Sequence, residues 1–137
     1  YGISKFKSKE YILKLGKRTK IIKTSIIGPE ISTSNSLFEW FLHSSNSVDG
    51  FIHSMWNGIT TYEWSKQCFK LMNNWDVYNI ETIISSECIS KYDLLKKISF
   101  IFDKQINILP VKFGNNKCLV PDIKTSDIEM QLKELNF

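Results

Sequence analysis

Hydrophobic residues recur with helical spacing over the first fifteen positions of the chain. Ile3, Phe6, Tyr11, Ile12 and Leu15 stand among lysines. This one-sided periodicity predicts an amphipathic helix that packs against a sheet, with Gly16 as its C-terminal stop. The β-branched run from Lys20 to Ile27 is closed by Gly28-Pro29, a pattern that predicts a strand meeting a turn.

The rest of the chain continues with helical and strand patterns. After a Ser/Thr/Asn-rich loop, Asn35 or Ser36 is the predicted N-cap of a short aromatic helix over residues 37–42, which is either a core helix or part of a lid over a ligand. The periodicity predicts further helices over residues 62–73, over 91–102 with Ser90 as its cap, and from Thr125 or Ser126 to Leu135. It predicts strands at residues 50–52, at 77–80 with an extension over 83–84, and at 106–110.

The composition is that of an ordinary globular protein of about one domain. Of the 137 residues, 42% are hydrophobic and 23% are charged, which disfavours disorder. No run approaches the ~18 consecutive apolar residues that a membrane span requires, and no secretory leader pattern is visible. We therefore expect a cytoplasmic protein with no membrane partner.

The chain is mildly basic, and the excess charge is concentrated at its start. Eighteen Lys and Arg residues against 14 Asp and Glu residues leave a net charge of +4. Eight of the basic residues lie in the first 23 positions beside a single acid, Glu10. This cluster is a nucleic-acid patch, a solvated helix face, or a cationic surface beside a site for phosphate-bearing ligands. The solvated face is the usual case, so we expect no nucleic-acid partner.

The three cysteines are odd in number and widely spaced. Cys68, Cys88 and Cys118 form no C-x-x-C motif and have no paired histidine. This pattern disfavours both a structural zinc site and a disulfide framework. We therefore expect buried free thiols and no metal.

Candidate chemistry begins at the first residue. Tyr1 and Lys5 are four positions apart, so on a helix they lie one above the other on the same face. An isolated tyrosine has a pKa of ~10, and a cation held nearby favours the phenolate and lowers that pKa. The pair therefore has the elements of a tunable proton donor, although two polar residues on a solvated helix face would look the same.

Three segments, taken in order, resemble a known family. They are Tyr1-Gly2-Ile3-Ser4-Lys5, the strand pattern from Lys20 to Pro29, and Trp56-Asn57-Gly58-Ile59-Thr60-Thr61. Together they resemble the C-terminal half of an extended short-chain dehydrogenase/reductase, in the dTDP-4-dehydrorhamnose reductase-like branch that modifies sugar nucleotides. The resemblance implies the C-terminal part of an α/β, Rossmann-type fold with a small substrate-binding lobe. Residues 1–30 would end the NAD(P)-binding core, and residues 31–137 would form the lobe.

The resemblance also implies roles for particular residues. Tyr1 would protonate the oxygen of a keto sugar as a reduced nicotinamide delivers hydride, and Lys5 would lower the Tyr1 pKa and hold the nicotinamide ribose. The backbone at Thr24, Ser25 and Ile26 would lie along the nicotinamide. The implied substrate contacts are Trp56, Asn57 and Thr60, although Thr60 or Thr61 also fits plain helix initiation, with Glu63 completing a capping box.

The predicted function is therefore a fragment of an NAD(P)-dependent reductase acting on a nucleotide-linked keto-deoxy sugar, with NADPH favoured over NADH. The chain starts at Tyr1 and contains no glycine-rich phosphate loop, so we expect the nucleotide-binding half, with the Ser or Thr of the site, to lie upstream. The alternatives are a non-catalytic sugar-nucleotide-binding module and an epimerase or dehydratase of the same superfamily. The basic first helix is also a candidate face for a homodimer.

Overall fold

The computed structural model describes residues 1–15 and 18–136, and it contains both helices and strands. The helices are α1 (Gly2–Lys14), α2 (Leu37–His43), α3 (Thr61–Asn73), α4 (Lys91–Ile101) and α5 (Ile128–Lys133). The strands are β1 (Ile21–Lys23), β2 (Ile26–Ile27), β3 (Val48–Phe51), β4 (Met55–Trp56), β5 (Ile59–Thr60), β6 (Glu81–Ser85), β7 (Ile89–Ser90), β8 (Ile108–Val111) and β9 (Ile123–Lys124). The stop predicted at Gly16 lies outside the described residues.

The strands form small sheets that are mostly parallel. β1, β6 and β9 form a three-stranded sheet in that order, and the pairs β2–β5 and β3–β8 are also parallel. β4 and β7 pair in the antiparallel sense. Since β1 pairs with β6, strands from the predicted ranges 1–30 and 31–137 share one sheet, and the division at residue 30 stays a prediction.

The core lies between α2, α4 and α5. Its fully buried members come from all three helices, which explains why each has a periodic apolar face: they include Phe41, Leu94, Ile98, Ile128 and Leu132. Burying side chains of this size is worth about 1.5–3 kcal/mol each. The core interpretation of α2 is thus confirmed for Phe41 and Phe38, whereas Trp40 on the same helix is 43% exposed.

Side-chain caps start the helices much as the sequence predicts. The hydroxyls of Ser36, Thr60 and Ser90 accept hydrogen bonds from the backbone N–H three residues on, which satisfies an otherwise unpaired helix donor. The prediction for the last helix was wrong by one or two residues. Asp127 is its cap, because Thr125 and Ser126 instead accept hydrogen bonds from the Gln131 amide.

Two predicted strands have different limits. The run 20–27 is divided into β1 and β2, because the first pairs with β6 and the second with β5. The strand predicted at 77–80 is wrong: α3 is followed by turns, and Val77 N–H bonds the Asn74 carbonyl oxygen at 3.0 Å. The neighbouring strand β6 begins only at Glu81 and includes the predicted extension over 83–84.

Helix α1 forms as predicted but packs differently. None of its residues is buried, and Ile3, Phe6 and Tyr11 are mostly exposed to solvent. The predicted packing of its apolar side chains on a sheet is therefore wrong for this chain. An ion pair joins α1 to the β1–β6 sheet instead. Lys9 of α1 pairs with Glu81 of β6, which also pairs with Lys23 of β1. The hydrogen bond from Lys23 lowers the pKa of Glu81 most, and the hydrogen bond from Lys9 lowers it further.

The prediction of free thiols was wrong for Cys88 and Cys118. Cys88 and Cys118 form a disulfide with their Cα atoms 5.9 Å apart. The segments that carry them are brought together by β4, because β7 pairs with this strand and the loop at Asn115–Lys117 hydrogen-bonds to the backbone of Met55. The separation of 30 residues in the sequence does not indicate that the two cysteines are close in the fold. Cys68 is a free and only partly buried thiol, and burial raises its pKa.

Acid should weaken the link between α4 and α5. Glu129 receives hydrogen bonds from Lys133 at 2.8 Å and Lys97 at 2.6 Å, and these contacts lower its pKa from 4.5 to about 2. Its stabilising contribution is therefore present above pH 4.5 and is lost as the pH falls towards about 2. We expect Glu129→Gln to reduce the loss of stability between these pH values, measured by urea unfolding, whereas Glu10→Gln on α1 should leave it unchanged. If wild type and Glu129→Gln lose the same free energy of unfolding over this pH range, the prediction is contradicted.

Candidate functional site

The structure brings Tyr1 and Lys5 together on the first turn of α1. Lys5 N–H donates to the Tyr1 carbonyl oxygen at 3.1 Å, and Lys5 Nζ lies 5.3 Å from the centroid of the Tyr1 ring. Tyr1 is 94% exposed, so its phenol is open to a reactant. The predicted proximity is confirmed, and the catalytic role of the pair stays a prediction.

A second contact joins a predicted cofactor residue to a predicted substrate residue. Trp56 Nε1 donates to Ser25 Oγ at 2.7 Å, and Ile59 N–H donates to the Ser25 carbonyl oxygen at 2.8 Å. Gly58 makes this approach possible, because a Cβ atom there would lie 2.1 Å from the Trp56 ring and 2.3 Å from the Ser25 carbonyl oxygen. The segments around residues 25 and 56 therefore form one unit.

The other residues predicted along the cofactor remain near this unit. Thr24 is partly buried and Ile26 is about half exposed at the start of β2. Within residues 1–15 and 18–136, no hydrogen bond or ring contact joins Tyr1 or Lys5 to Ser25 or Trp56. The structure thus forms two clusters of predicted site residues, one on α1 and one between β2 and β4.

Asn57 is buried and acts as a clamp within the protein. Its Nδ2 donates to Ser85 Oγ at 2.9 Å and to the Leu119 carbonyl oxygen at 2.8 Å, and its Oδ1 accepts from Leu119 N–H at 2.8 Å. The amide group therefore ties β6 and the loop before β9 to the segment that carries Trp56. A contact from Asn57 to substrate stays a prediction, and its present partners favour a positioning role.

Thr60 is completely buried at the start of α3. Its Oγ1 accepts from Glu63 N–H at 3.2 Å, and its backbone N–H donates to Gln131 Oε1 at 3.0 Å. Helix initiation by Thr60 is therefore confirmed. The reciprocal half of the capping box is replaced, because the Glu63 carboxylate accepts from Gln67 and pairs with Lys66. The substrate contact predicted for Thr60 stays a prediction.

Trp56 also lines an open cavity of about 710 Å³ that the sequence pattern did not indicate. Its walls combine aromatic rings with cationic side chains: Phe51, Trp56, Phe113, Lys91, Lys112 and Lys117. None of the lining residues, all within the described part of the chain, carries a carboxylate. We call this cavity the lysine pocket. Its three lysines lie on α4 and on the loop after β8, so only the fold brings them together.

The shape of the lysine pocket depends on close packing at its rim. The rings of Phe51 and Phe113 lie 5.2 Å apart, centroid to centroid. Gly114 has a φ of +106°, and a Cβ atom there would lie 1.9 Å from Ser54 Oγ. A residue with a side chain would be both strained and in collision at this position, so Gly114 allows the loop to approach β4.

Across 1–15 and 18–136, no group of three or more His, Cys, Asp or Glu side chains is arranged to hold a metal ion. None of the helices in these ranges combines the length and apolar character needed to cross a bilayer.

The fold has clear counterparts among solved structures. A dTDP-4-dehydrorhamnose reductase from Bacillus anthracis, crystallised with NADP, superposes with a TM-score of 0.81 over 98% of this chain at 16% identity. The fold is that of dTDP-4-dehydrorhamnose reductases. The reductase from Clostridium acetobutylicum gives a TM-score of 0.78 over 98% of the chain at 15% identity. That from Yersinia enterocolitica gives 0.63 over 84% at 14% identity.

The dTDP-4-dehydrorhamnose reductase fold confirms the predicted α/β class with parallel sheets. The chain spans about half the length of these reductases, namely 53% of the Bacillus, 54% of the Clostridium and 47% of the Yersinia chain. No protein-family model and no curated protein matches the sequence.

Proposed function

We propose that this chain supplies the Tyr/Lys pair and the substrate lobe of an NAD(P)-dependent reductase that acts on a nucleotide-linked keto-deoxy sugar. The observation that carries the proposal is the Tyr1–Lys5 pair on one helical turn, within a chain that has the fold of dTDP-4-dehydrorhamnose reductases. The ranges 1–30 and 31–137 would then be the end of the cofactor-binding core and the substrate lobe. A cytoplasmic location agrees with such a cofactor and substrate.

In this reaction the Tyr1 phenol donates its proton to the ketone oxygen as the carbonyl carbon is reduced. A positioned acid of this kind contributes about 10²–10⁴-fold to rate. The Lys5 ammonium lies over the Tyr1 ring and stabilises the phenolate that remains after the transfer. The same phenolate is then ready to accept a proton from solvent, because Tyr1 is exposed.

The residues present fit one end of a nicotinamide cofactor, which when bound supplies hydride. Tyr1, Lys5, Thr24 and Ser25 offer hydroxyl and ammonium groups suited to a ribose and a carboxamide, and Ile26 offers an apolar surface. The sequence contains no glycine-rich loop that would cradle the pyrophosphate. We propose that these residues hold only the nicotinamide end, with NADPH as the preferred cofactor.

We propose that the nucleotide sugar binds with its diphosphate in the lysine pocket. Lys91, Lys112 and Lys117 offer positive charge without a competing carboxylate in the lining, and phosphate oxygens are suitable acceptors for ammonium donors. The flanking rings provide apolar faces on which a nucleotide base can stack. Trp56 lines the pocket and bonds to Ser25, so it connects this substrate region with the cofactor segment.

Calorimetric titration with dTDP tests this assignment on the 137-residue chain. We expect binding of dTDP that becomes about tenfold weaker or more in Lys112→Ala/Lys117→Ala, because two charge-assisted contacts are lost. The matched control is Lys70→Ala/Lys124→Ala, which removes the same charge from exposed positions outside the pocket. NADPH should show no micromolar binding, because the pyrophosphate loop is missing.

Two results would count against the proposal. Equal dTDP affinity for the two double variants would remove the lysine pocket as the diphosphate site. Micromolar binding of NADPH by this chain would show that the cofactor needs no glycine-rich loop elsewhere. A third result would favour the non-catalytic binding module. In that case the chain binds dTDP, but the gene product that contains it shows no nucleotide-sugar-dependent oxidation of NADPH.

A further inference from the structure

We infer that the Cys88–Cys118 disulfide is a redox-sensitive clasp that controls ligand binding in the lysine pocket. The inference rests on the proposed function, because it takes the diphosphate of a nucleotide as the ligand. The disulfide joins the segment before β7 to the segment after Lys117, next to residues that line the pocket. Cys88 directly precedes β7, which pairs with Met55 and Trp56, and Cys118 directly follows Lys117.

Few contacts other than the disulfide hold the segment that carries Lys117. Asn115 and Lys117 bond to the backbone of Met55 at 3.1 and 3.2 Å, and Leu119 is clamped by Asn57. Most side chains from Lys112 to Lys117 are exposed, and so is the following Val120. Apart from the contact of Phe113 with Phe51, apolar packing therefore contributes little to the order of this segment, and the covalent bond at Cys118 has a large share in holding it.

A dithiol can reach the bond and open it. Cys88 is exposed, so a thiolate of the dithiol can attack one sulfur of the pair, releasing the other cysteine as a thiolate and forming a mixed disulfide. The second thiol of the reagent then displaces the bound cysteine. The products are two cysteine thiols and one oxidised dithiol, so the two electrons pass from the reagent to the protein.

Reversible reduction of this disulfide is consistent with the proposed cytoplasmic location. In a reducing compartment a disulfide is usually transient, catalytic or redox-sensing, whereas structural disulfides belong to oxidising compartments. After reduction, the segment around Lys117 samples more conformations, and binding must then order it again. The oxidised chain therefore binds a nucleoside diphosphate more tightly than the reduced chain.

Calorimetric titration of the 137-residue chain with dTDP, before and after reduction by dithiothreitol, tests the clasp. We expect the dissociation constant to rise about fivefold or more on reduction. Hydrogen exchange at the amides of Lys117 and Leu119 should become faster in parallel. Cys88→Ser should bind like the reduced chain under both conditions, and Cys68→Ser should respond to reduction like the wild type.

Controls separate the clasp from a general loss of stability. Circular dichroism would establish that each form is folded at the titration temperature. Ile98→Val, which weakens the core and leaves the disulfide intact, should keep the oxidised affinity for dTDP. Unchanged affinity after verified reduction would overturn the inference and leave the proposed function in place. Absence of dTDP binding to the oxidised chain would overturn the diphosphate assignment itself, and with it the inference.

Discussion

Tyr1→Phe is expected to lower kcat at least about 100-fold in the reductase of which we propose this chain forms part. The substitution keeps the ring beside Lys5 and removes only the hydroxyl that donates the proton. The proton must then come from water, which is neither positioned nor activated. The measurement is nucleotide-sugar-dependent oxidation of NADPH by the gene product that contains this chain.

A second tyrosine on the same helix provides the matched control. Tyr11→Phe removes another mostly exposed phenol from α1, and it should leave kcat unchanged. The substrate KM of Tyr1→Phe should change much less than kcat, because the lysine pocket is untouched. Comparable turnover in Tyr1→Phe and Tyr11→Phe would exclude Tyr1 as the acid.

Asn57→Ala is expected to lower the free energy of unfolding by about 2–4 kcal/mol. The substitution deletes the three hydrogen bonds that the buried amide makes to Ser85 and Leu119. The backbone N–H and carbonyl of Leu119 then lose partners in a partly buried site, and such losses cost more than the net value of the bonds. Urea unfolding of the 137-residue chain measures the change.

Asn79→Ala serves as the control for Asn57→Ala, because Asn79 is an exposed asparagine in the turn before β6. Its unfolding free energy should stay within about 0.5 kcal/mol of wild type. If Asn57→Ala is as stable as Asn79→Ala, the clamp contributes nothing, and a direct role in substrate binding gains support. If Asn57→Ala is destabilised, its effects on activity have to be corrected for folding.

The sequence predicts local features of this fold well because they depend on neighbouring residues. A hydroxyl before a helical run satisfies a backbone donor three residues later wherever the chain goes, and Ser36, Thr60 and Ser90 all do so. The closeness of Tyr1 and Lys5 likewise needs only one helical turn. The resemblance of three short segments added the fold class, which the solved reductases confirm.

Pairing between distant segments is where sequence reasoning fails. The apolar run from Lys20 to Ile27 does not show that its two ends pair with different strands. The apolar stripe on α1 predicts a buried face, yet in this chain Phe6 and its neighbours are exposed and an ionic contact through Lys9 makes the link. Periodicity indicates that a face is apolar, and it leaves open what covers that face.

Two features of the candidate site depend entirely on tertiary structure. Cys88 and Cys118 meet because each flanks a segment that lies against β4, a proximity that their spacing in the sequence does not indicate. Lys91 and Lys117 share a pocket because α4 and the loop after β8 converge on β4. The sequence by itself determined the starts of α2, α3 and α4 and the Tyr1–Lys5 pair, since these features arise within one turn of backbone. The folded chain alone decided the clasp and the lysine pocket, because each joins residues more than twenty positions apart.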